Sequence, residues 1–184
     1  MPRDHLDLKG CIIRNADKRA AVIAEVPHLR RFALSLLRHS DLADDLVQDC
    51  VSRALAKLDL FREGTNMRAW LFAILHNLYV QQLRDRRREA GDHTAPTEDD
   101  IRHAAAPDQE SGLTVRDLSR ALDALEDEHR QVILMIGVGE LSYKQAAEVL
   151  GVPIGTVMSR LARGRARLRS VMAEQAKPTL RRVK

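Results

Sequence analysis

The sequence predicts an all-α protein made of two helical domains that are joined by an acidic linker. Apolar residues recur at intervals of three and four along most of the chain, which is the spacing of one face of an α-helix. Glycines and prolines are few, at 9 and 6 among 184 residues, so little interrupts this pattern. Between Gly91 and Gly112 the periodicity is lost and two prolines appear. We therefore expect a domain boundary there.

The N-terminal domain is predicted over residues 18–90, after a loose arm or short helix at 1–17. A helical stripe runs from Lys18 to Arg38 and is expected to be interrupted at Pro27, because proline cannot donate a helical hydrogen bond. The next helix is predicted from Leu42 to Leu60, with Ser40 or Asp41 as its N-cap.

That second helix has an apolar side and an acidic side. The inward residues are predicted to be Leu42, Ala43, Leu46, Val47, Cys50, Ala54, Leu55 and Leu58. The opposite face carries Asp41, Asp45, Gln48 and Ser52, with Asp44 and Asp49 beside them. This face serves either solubility or the docking of a basic partner, and periodicity leaves both open. Cys50 is predicted to be a small core residue rather than a reactive thiol.

A turn-rich loop from Phe61 to Asn66 precedes a long helix, for which Thr65 or Asn66 is the expected N-cap. The helix is predicted to end in a cluster of cations at Arg84, Arg86, Arg87 and Arg88. Trp70 within it is expected to be a core residue rather than a platform for stacked bases. His76 is expected to be a surface or hydrogen-bonded histidine, since no second metal-binding group lies near it in sequence.

The linker, residues 91–112, holds six acidic residues against Arg102 alone. The C-terminal domain, residues 113–174, is predicted to contain four helices. The first spans Leu113 to Leu125, and the second ends near Gly137 and Gly139. These two are expected to pack behind the remaining pair, and a basic tail follows at 175–184.

The remaining pair lies between Leu141 and Met172 and predicts a helix-turn-helix. Ser142 is a good N-cap, and Gln145 three residues later completes a capping box. Gly151 is at the position where a helix end favours a left-handed residue. Pro153 suits the first turn of the second helix.

The second helix of this motif is apolar on one side and basic on the other. The apolar stripe is Val157, Leu161, Gly164, Leu168 and Met172, and the opposite face is Gly155, Thr156, Ser159, Ala162, Arg163 and Ala166. Hydroxyls, small residues and arginines on one face suit a DNA major groove. From Gly155 onward nine residues are basic against Glu174 alone, which favours a polyanionic partner. The alternative is a solvated amphipathic helix with ordinary surface arginines.

Other functional classes lack a signal. Nucleotide-binding, hydrolase and metalloprotease motifs are absent, so we expect neither an enzyme nor a cofactor. Cys11 and Cys50 are isolated, and neither a disulfide nor a zinc site is indicated. Without a signal-peptide-like or membrane-spanning apolar run, the protein is expected to be cytoplasmic.

Three blocks together resemble the signatures of bacterial extracytoplasmic-function sigma factors of RNA polymerase. They are LADDLVQDCVSRAL, GTNMRAWLFAILHN and LSYKQAAEVLGVPIGTVMSRLARGRARL, in the family's order and with an acidic linker between the second and third. The resemblance covers about Lys18 to Met172. The wording GTNMRAWLF is also similar to the alphaproteobacterial general-stress subgroup. The implied function is promoter-specific transcription initiation with core polymerase, controlled by an anti-sigma factor.

The resemblance implies roles for particular residues. Core polymerase would be bound by Asp45, Gln48 and Asp49, and the minus-ten promoter element by Phe61, Asn66, Arg68, Arg84, Arg87 and Arg88. In the minus-thirty-five element, Ser159 and Arg163 would contact base edges, Thr156 and Arg160 phosphates, and Tyr143 the backbone. Met158 also lies in this set, although the family usually carries Lys or Arg there, so DNA affinity or the sequence read would differ.

Two other functions compete with this one. A sigma mimic would titrate an anti-sigma factor without binding DNA, and such mimics carry a receiver domain for which this chain has no room. A stand-alone helix-turn-helix regulator would leave the acidic face of residues 41–52 unexplained, and it would need dimer symmetry to read two half-sites.

Overall fold

The computed structural model describes the backbone of residues 5–62, 64–89 and 117–175, and the side chains of residues 17–62, 64–86, 88 and 117–174. All regular elements in these ranges are helices, which confirms the predicted class. They are α1 (His5–Leu37), α2 (Ser40–Ala56), a 3₁₀ turn (Leu58–Leu60), α3 (Met67–Glu89), α4 (117–123), α5 (Asp127–Gly137), α6 (Tyr143–Leu150) and α7 (Ile154–Gln175). The predicted linker and most of the tail lie outside the described residues.

Helix α1 is longer and more continuous than predicted. Residues 5–17 form its first turns, so the predicted start at Lys18 is too late. The helix also passes through Pro27, where an interruption was expected. Proline removes one hydrogen bond from a helix interior, but Val22 before it and Leu29 and Phe32 after it are fully buried. Core packing on both sides of Pro27 therefore holds the helix together.

Helix α2 keeps its predicted face but differs at its ends. His39 is the N-cap in place of Ser40 or Asp41, and its Nδ1 accepts the Leu42 N–H at 3.5 Å. The helix stops at Ala56, and Leu55 is exposed rather than inward. Cys50 is buried as predicted, and its thiol donates to the Leu71 carbonyl at 3.4 Å. Burial raises the pKa of Cys50 to about 12, which keeps the thiol protonated and unreactive.

The helices form two units that share one apolar core. Helices α1, α2 and α3 form the N-terminal unit, and α5, α6 and α7 form the C-terminal unit. Between the units, α1 contacts α5 and α3 contacts α6. The units approach closely at Gly139, where an added Cβ would lie 2.6 Å from the Phe72 ring. Phe72 also packs on Phe32, with ring centroids 4.9 Å apart, so the contact between the units continues the N-terminal core.

Candidate nucleic-acid interface

Helices α6 and α7 form the predicted helix-turn-helix. Ser142 Oγ accepts the Gln145 N–H at 3.3 Å, and Gln145 Oε1 accepts the Ser142 N–H at 2.8 Å, so the capping box is present. Gly151 ends α6 with φ +65°, in the left-handed region that glycine adopts without strain. The carbonyl of Pro153 accepts the Thr156 N–H at 2.9 Å, which places the proline immediately before α7 rather than inside it.

The buried side of α7 packs on α5 and fixes which residues face outward. Val157 and Leu161 are buried as predicted, and Val171 joins them. Gly164 is also on this side, and an added Cβ would lie 2.8 Å from Cδ1 of Ile133 on α5. Glycine therefore lets the two helices approach closely, and the opposite side of α7 is presented to solvent.

The exposed side of α7 carries most of the residues that were predicted to read the minus-thirty-five element. Ser159 and Arg163 are exposed, Thr156 is half-buried, and Met158 is 48% exposed. Ser159 Oγ donates to the Thr156 carbonyl at 3.0 Å, and its lone pairs remain open to a donor. Tyr143 lies at the first turn of α6 with 37% of its surface exposed. Arg165, Arg167 and Arg169 are exposed as well, and they alternate between two sides of the helix because they are two residues apart.

Arg160 differs from the other arginines of α7. Its Nη2 lies 2.5 Å from Oε2 of Glu128 on α5, and only 21% of its side chain is exposed. A DNA phosphate would have to compete with this carboxylate. By contrast, Arg163 is exposed and has no ion pair among the described side chains, so no described carboxylate competes for its guanidinium.

The predicted minus-ten residues lie around the start of α3. Asn66 Oδ1 accepts the Ala69 N–H at 3.0 Å, which makes Asn66 the N-cap. The Phe61 ring is buried against Trp70, with centroids 5.3 Å apart. Phe61 therefore packs beneath the loop in the protein interior and does not present its ring to solvent. Trp70 is half-buried and packs against the hydrophobic core, where the sequence predicted a core residue.

Arg68 is the most constrained of this set. Its Nε lies 2.7 Å from Glu25, its Nη1 lies 2.7 Å from Glu140, and its Nη2 lies 3.2 Å from His28 Nε2. At the other end of α3, Arg84 and Arg88 are exposed, and Arg88 is 4.0 Å from Asp85. The Arg87 side chain lies outside the described residues. The structure therefore divides the predicted minus-ten cations into one bound arginine and an exposed pair.

A cleft of about 560 Å³ opens between the two units beside this loop. Leu60, Trp70 and Val149 contribute apolar surface, and Lys144 and Glu148 contribute opposite charges at the α6 side. Because Leu60 is 71% exposed at its edge, the cleft can accept an apolar group from a partner.

The acidic face of α2 is exposed as predicted. Asp45, Gln48 and Asp49 all face solvent. Neighbouring Asp44 instead pairs with Arg30, whose Nε lies 2.7 Å away, and this hydrogen bond lowers the pKa of Asp44. Asp45, Gln48 and Asp49, which the resemblance assigns to polymerase, thus remain exposed, as does Asp41 at the start of the helix.

One of the two ring nitrogens of His76 has a hydrogen-bond partner. Nε2 lies 3.2 Å from Oε1 of Gln131 on α5, whereas the buried Nδ1 has no partner. Burial lowers the pKa of His76 below its ordinary value. In the part of the chain that the structure describes, no cluster of three metal-binding side chains occurs. Nor does any described helix have the length and hydropathy to span a membrane.

The sequence did not predict four acidic or histidine side chains that contact the arginines of the site. Glu25, His28 and Glu140 surround Arg68, and Glu128 holds Arg160. Each partner is distant in sequence, at separations of 40 or more around Arg68, so neither periodicity nor capping reveals it.

Comparisons with known proteins agree with this geometry. Residues 22–76 match a family model described as the Sigma2 domain of PhyR, and residues 116–168 match one described as Sigma-70, region 4. The chain is 39% identical over 154 residues to the ECF RNA polymerase sigma factor EcfG of Rhodopseudomonas palustris, covering 84% of each chain. It is 37% identical to the ECF sigma factor SigM of Mycobacterium tuberculosis, covering 76% of this chain and 69% of that protein.

Two solved structures extend the likeness to the fold. The sigma factor RpoE of Bartonella quintana, solved in complex with the anti-sigma factor NepR, matches with a TM-score of 0.75 and 37% identity, over 88% of this chain and 99% of that one. The anti-anti-sigma factor PhyR of the same organism, also solved with NepR, matches with a TM-score of 0.51 and 18% identity, over 85% of this chain and 50% of that one. The second likeness concerns the fold alone.

Proposed function

The chain belongs to the extracytoplasmic-function RNA polymerase sigma factors, and from that premise we propose that it directs core polymerase to specific promoters. The observation that carries the proposal is the presence of two unlike surfaces on one chain. The N-terminal unit exposes acids at Asp45 and Asp49, and the C-terminal unit exposes arginines on the front of α7. An acidic face suits a basic protein surface, whereas a basic helix in a helix-turn-helix suits the major groove.

The two units divide the promoter between them. On α7, Arg163 and Ser159 would contact base edges, and the support is that both are exposed, away from the buried stripe. At the N-terminal unit, the loop capped by Asn66 and the cations of α3 would hold the opened minus-ten strand. Extruding a base costs a few kcal/mol of stacking, which nearby cations and a pocket offset. Arg84 and Arg88 would contact phosphates.

We infer that an anti-sigma factor controls the protein in a stress response. The support is the similarity to EcfG and to RpoE, the latter solved bound to NepR. The apolar and charged cleft between the units is a surface that such an inhibitor can occupy. The protein would act without catalysis of its own, in the cytoplasm where polymerase is found.

A sigma mimic is the second candidate, favoured by the match of residues 22–76 to the Sigma2 domain of PhyR. A mimic has no need of DNA contacts, however. The exposed arginines of α7, at Arg163, Arg165, Arg167 and Arg169, therefore support a DNA-binding sigma factor over the mimic.

Run-off transcription with core polymerase on a pool of candidate promoters tests the proposal. Start sites that appear only when the protein is added would establish promoter selection and give both promoter elements. Binding to an anti-sigma factor without binding to core polymerase, as measured by gel filtration, would instead establish the mimic.

A further inference from the structure

Arg68 links the two units through an ion pair that no sequence pattern anticipates. The arginine is on α3 of the N-terminal unit, and Glu140 is in the loop between α5 and α6 of the C-terminal unit. Arg68 Nη1 donates to Glu140 Oε2 at 2.7 Å. The same guanidinium donates through Nε to Glu25 at 2.7 Å, within its own unit. Glu25 therefore orients Arg68, and Glu140 is the partner that depends on how the units are arranged.

Glu140 adopts a backbone conformation that disfavours glutamate. Its φ is +55°, in the left-handed region where glycine is the usual residue after a helix. The turn requires this conformation, because the Leu141 N–H reaches back to the Met135 carbonyl at 3.0 Å. Glycine is required at the adjacent position 139 for a different reason, since any Cβ there would meet Phe72 and the Met135 carbonyl. A strained glutamate beside an unstrained glycine indicates that the carboxylate itself has a task.

The surroundings of Glu140 show what that task is. The carboxylate faces the N-terminal unit, with the Arg68 guanidinium at 2.7 Å and His28 Nε2 at 3.8 Å. The hydrogen bond from Arg68 is the main cause of a lowered pKa for Glu140, so the group is ionised. An ionised carboxylate on a guanidinium occupies the same donors that a DNA phosphate would use.

We propose that Glu140 is an intramolecular competitor for Arg68, holding the two units together and withholding this arginine from the minus-ten strand until the units separate. The inference rests on the proposed function, because it takes Arg68 as a DNA-binding residue. Promoter DNA and core polymerase then favour the separated arrangement, since only there is the guanidinium open to a phosphate. The position of the C-terminal unit thus regulates whether Arg68 of the N-terminal unit can bind the minus-ten strand.

The expected effect is moderate, because other contacts also join the units. Arg38 donates to the Ser119 carbonyl and pairs with Asp123, and Phe72 packs on Gly139. The Glu140 side chain is 58% exposed, so solvent screens its pair with Arg68. We expect removal of the Glu140 charge to shift the equilibrium between joined and separated units by about two- to fivefold.

The test uses the full chain with two variants and a matched control. Glu140→Gln removes the charge at nearly constant size, and Glu140→Gly also removes the backbone strain. Glu126→Gln is the control, since Glu126 is an exposed acid of the same unit whose nearby partner, His129 Nδ1 at 3.5 Å, belongs to that unit as well. Energy transfer between dyes at Ala56→Cys on α2 and Ala173→Cys on α7 reports separation of the units. Cys11 is replaced by serine, and buried Cys50 stays unlabelled.

Binding of a single-stranded minus-ten oligonucleotide to the same proteins is the second readout. Both Glu140 variants should lower energy transfer and tighten oligonucleotide binding by about two- to fivefold, while Glu126→Gln leaves both unchanged. Glu140→Gly should also raise the unfolding temperature, which separates relief of strain from loss of the ion pair. Unchanged energy transfer and affinity in both Glu140 variants would overturn the inference. A failure of every protein to bind the oligonucleotide would instead refute the minus-ten role of Arg68, and energy transfer would still decide whether Glu140 joins the units.

Discussion

Replacing Arg163 by alanine tests the reading of the minus-thirty-five element. Arg163 is exposed on the side of α7 opposite Val157 and Leu161 and has no ion pair among the described side chains. Among the described side chains, no ion pair has to be broken before it reaches a base. Truncation should therefore remove a DNA contact without unfolding the helix.

The size of the loss follows from the kind of contact. A bidentate arginine–guanine pair contributes about 1–3 kcal/mol of discrimination, or about 5- to 150-fold in affinity. Arg160 provides the contrast, because it has to exchange Glu128 for a phosphate. Arg160→Ala should weaken binding to all DNA sequences alike, and by less than Arg163→Ala does. The slope of log affinity against log salt concentration should fall by about one phosphate contact. Glu128→Gln should tighten binding by releasing Arg160.

Competition between holoenzyme and minus-thirty-five duplexes, each with one altered base pair, measures both effects over a series of salt concentrations. Arg163→Ala should lose its preference at one base pair while its affinity for core polymerase, measured by gel filtration, stays unchanged. Equal weakening on every duplex would make Arg163 a phosphate contact. Loss of polymerase binding would refute the division of roles between the units.

Three other predictions concern polymerase docking, packing and pH. Asp45→Lys should weaken core polymerase binding by about tenfold or more without changing binding to the minus-thirty-five duplex, and normal polymerase affinity would remove this face from the dock. Gly139→Ala should lower the free energy of unfolding by about 1–3 kcal/mol in urea titrations, because its Cβ meets Phe72 and a backbone carbonyl. Gly137→Ala, on open helix surface, should instead raise the free energy of unfolding by about 0.5–1 kcal/mol. Two changes of the same sign would contradict the close approach at Gly139. Burial lowers the pKa of His76, so the unfolded chain binds more protons than the folded chain does. The free energy of unfolding should therefore be highest above about pH 6.5 and fall below that pH, by at most about 1.4 kcal/mol per pH unit. The same slope in His76→Gln would assign the loss to other groups.

Local sequence rules accounted for the helix-turn-helix and much of the helical pattern. The capping box of Ser142 and Gln145 and the left-handed Gly151 involve residues within a few positions of one another, so the sequence contains all that determines them. The buried stripe of α7 likewise follows from the helical repeat, and Val157 and Leu161 are buried where it places them.

Local rules failed where packing between distant elements decides the outcome. Pro27 did not break α1, because buried residues on both sides fix the helix in the core. Leu55 lies at the end of α2 and is exposed although its position continues the apolar stripe. The N-cap of α3 was predicted as Thr65 or Asn66 and is Asn66, whereas the N-cap of α2 was predicted as Ser40 or Asp41 and is His39.

The sequence by itself determined the all-α class, the helix-turn-helix and the two oppositely charged surfaces, because periodicity, caps and charge runs are properties of neighbouring residues. Only the tertiary structure decided which of the predicted cations are available. Arg68 and Arg160 are held by Glu140, Glu25 and Glu128, whereas Arg163 is open. An ion pair depends on the distance between two charged groups in space, and for residues far apart in the chain that distance is set by how the helices pack.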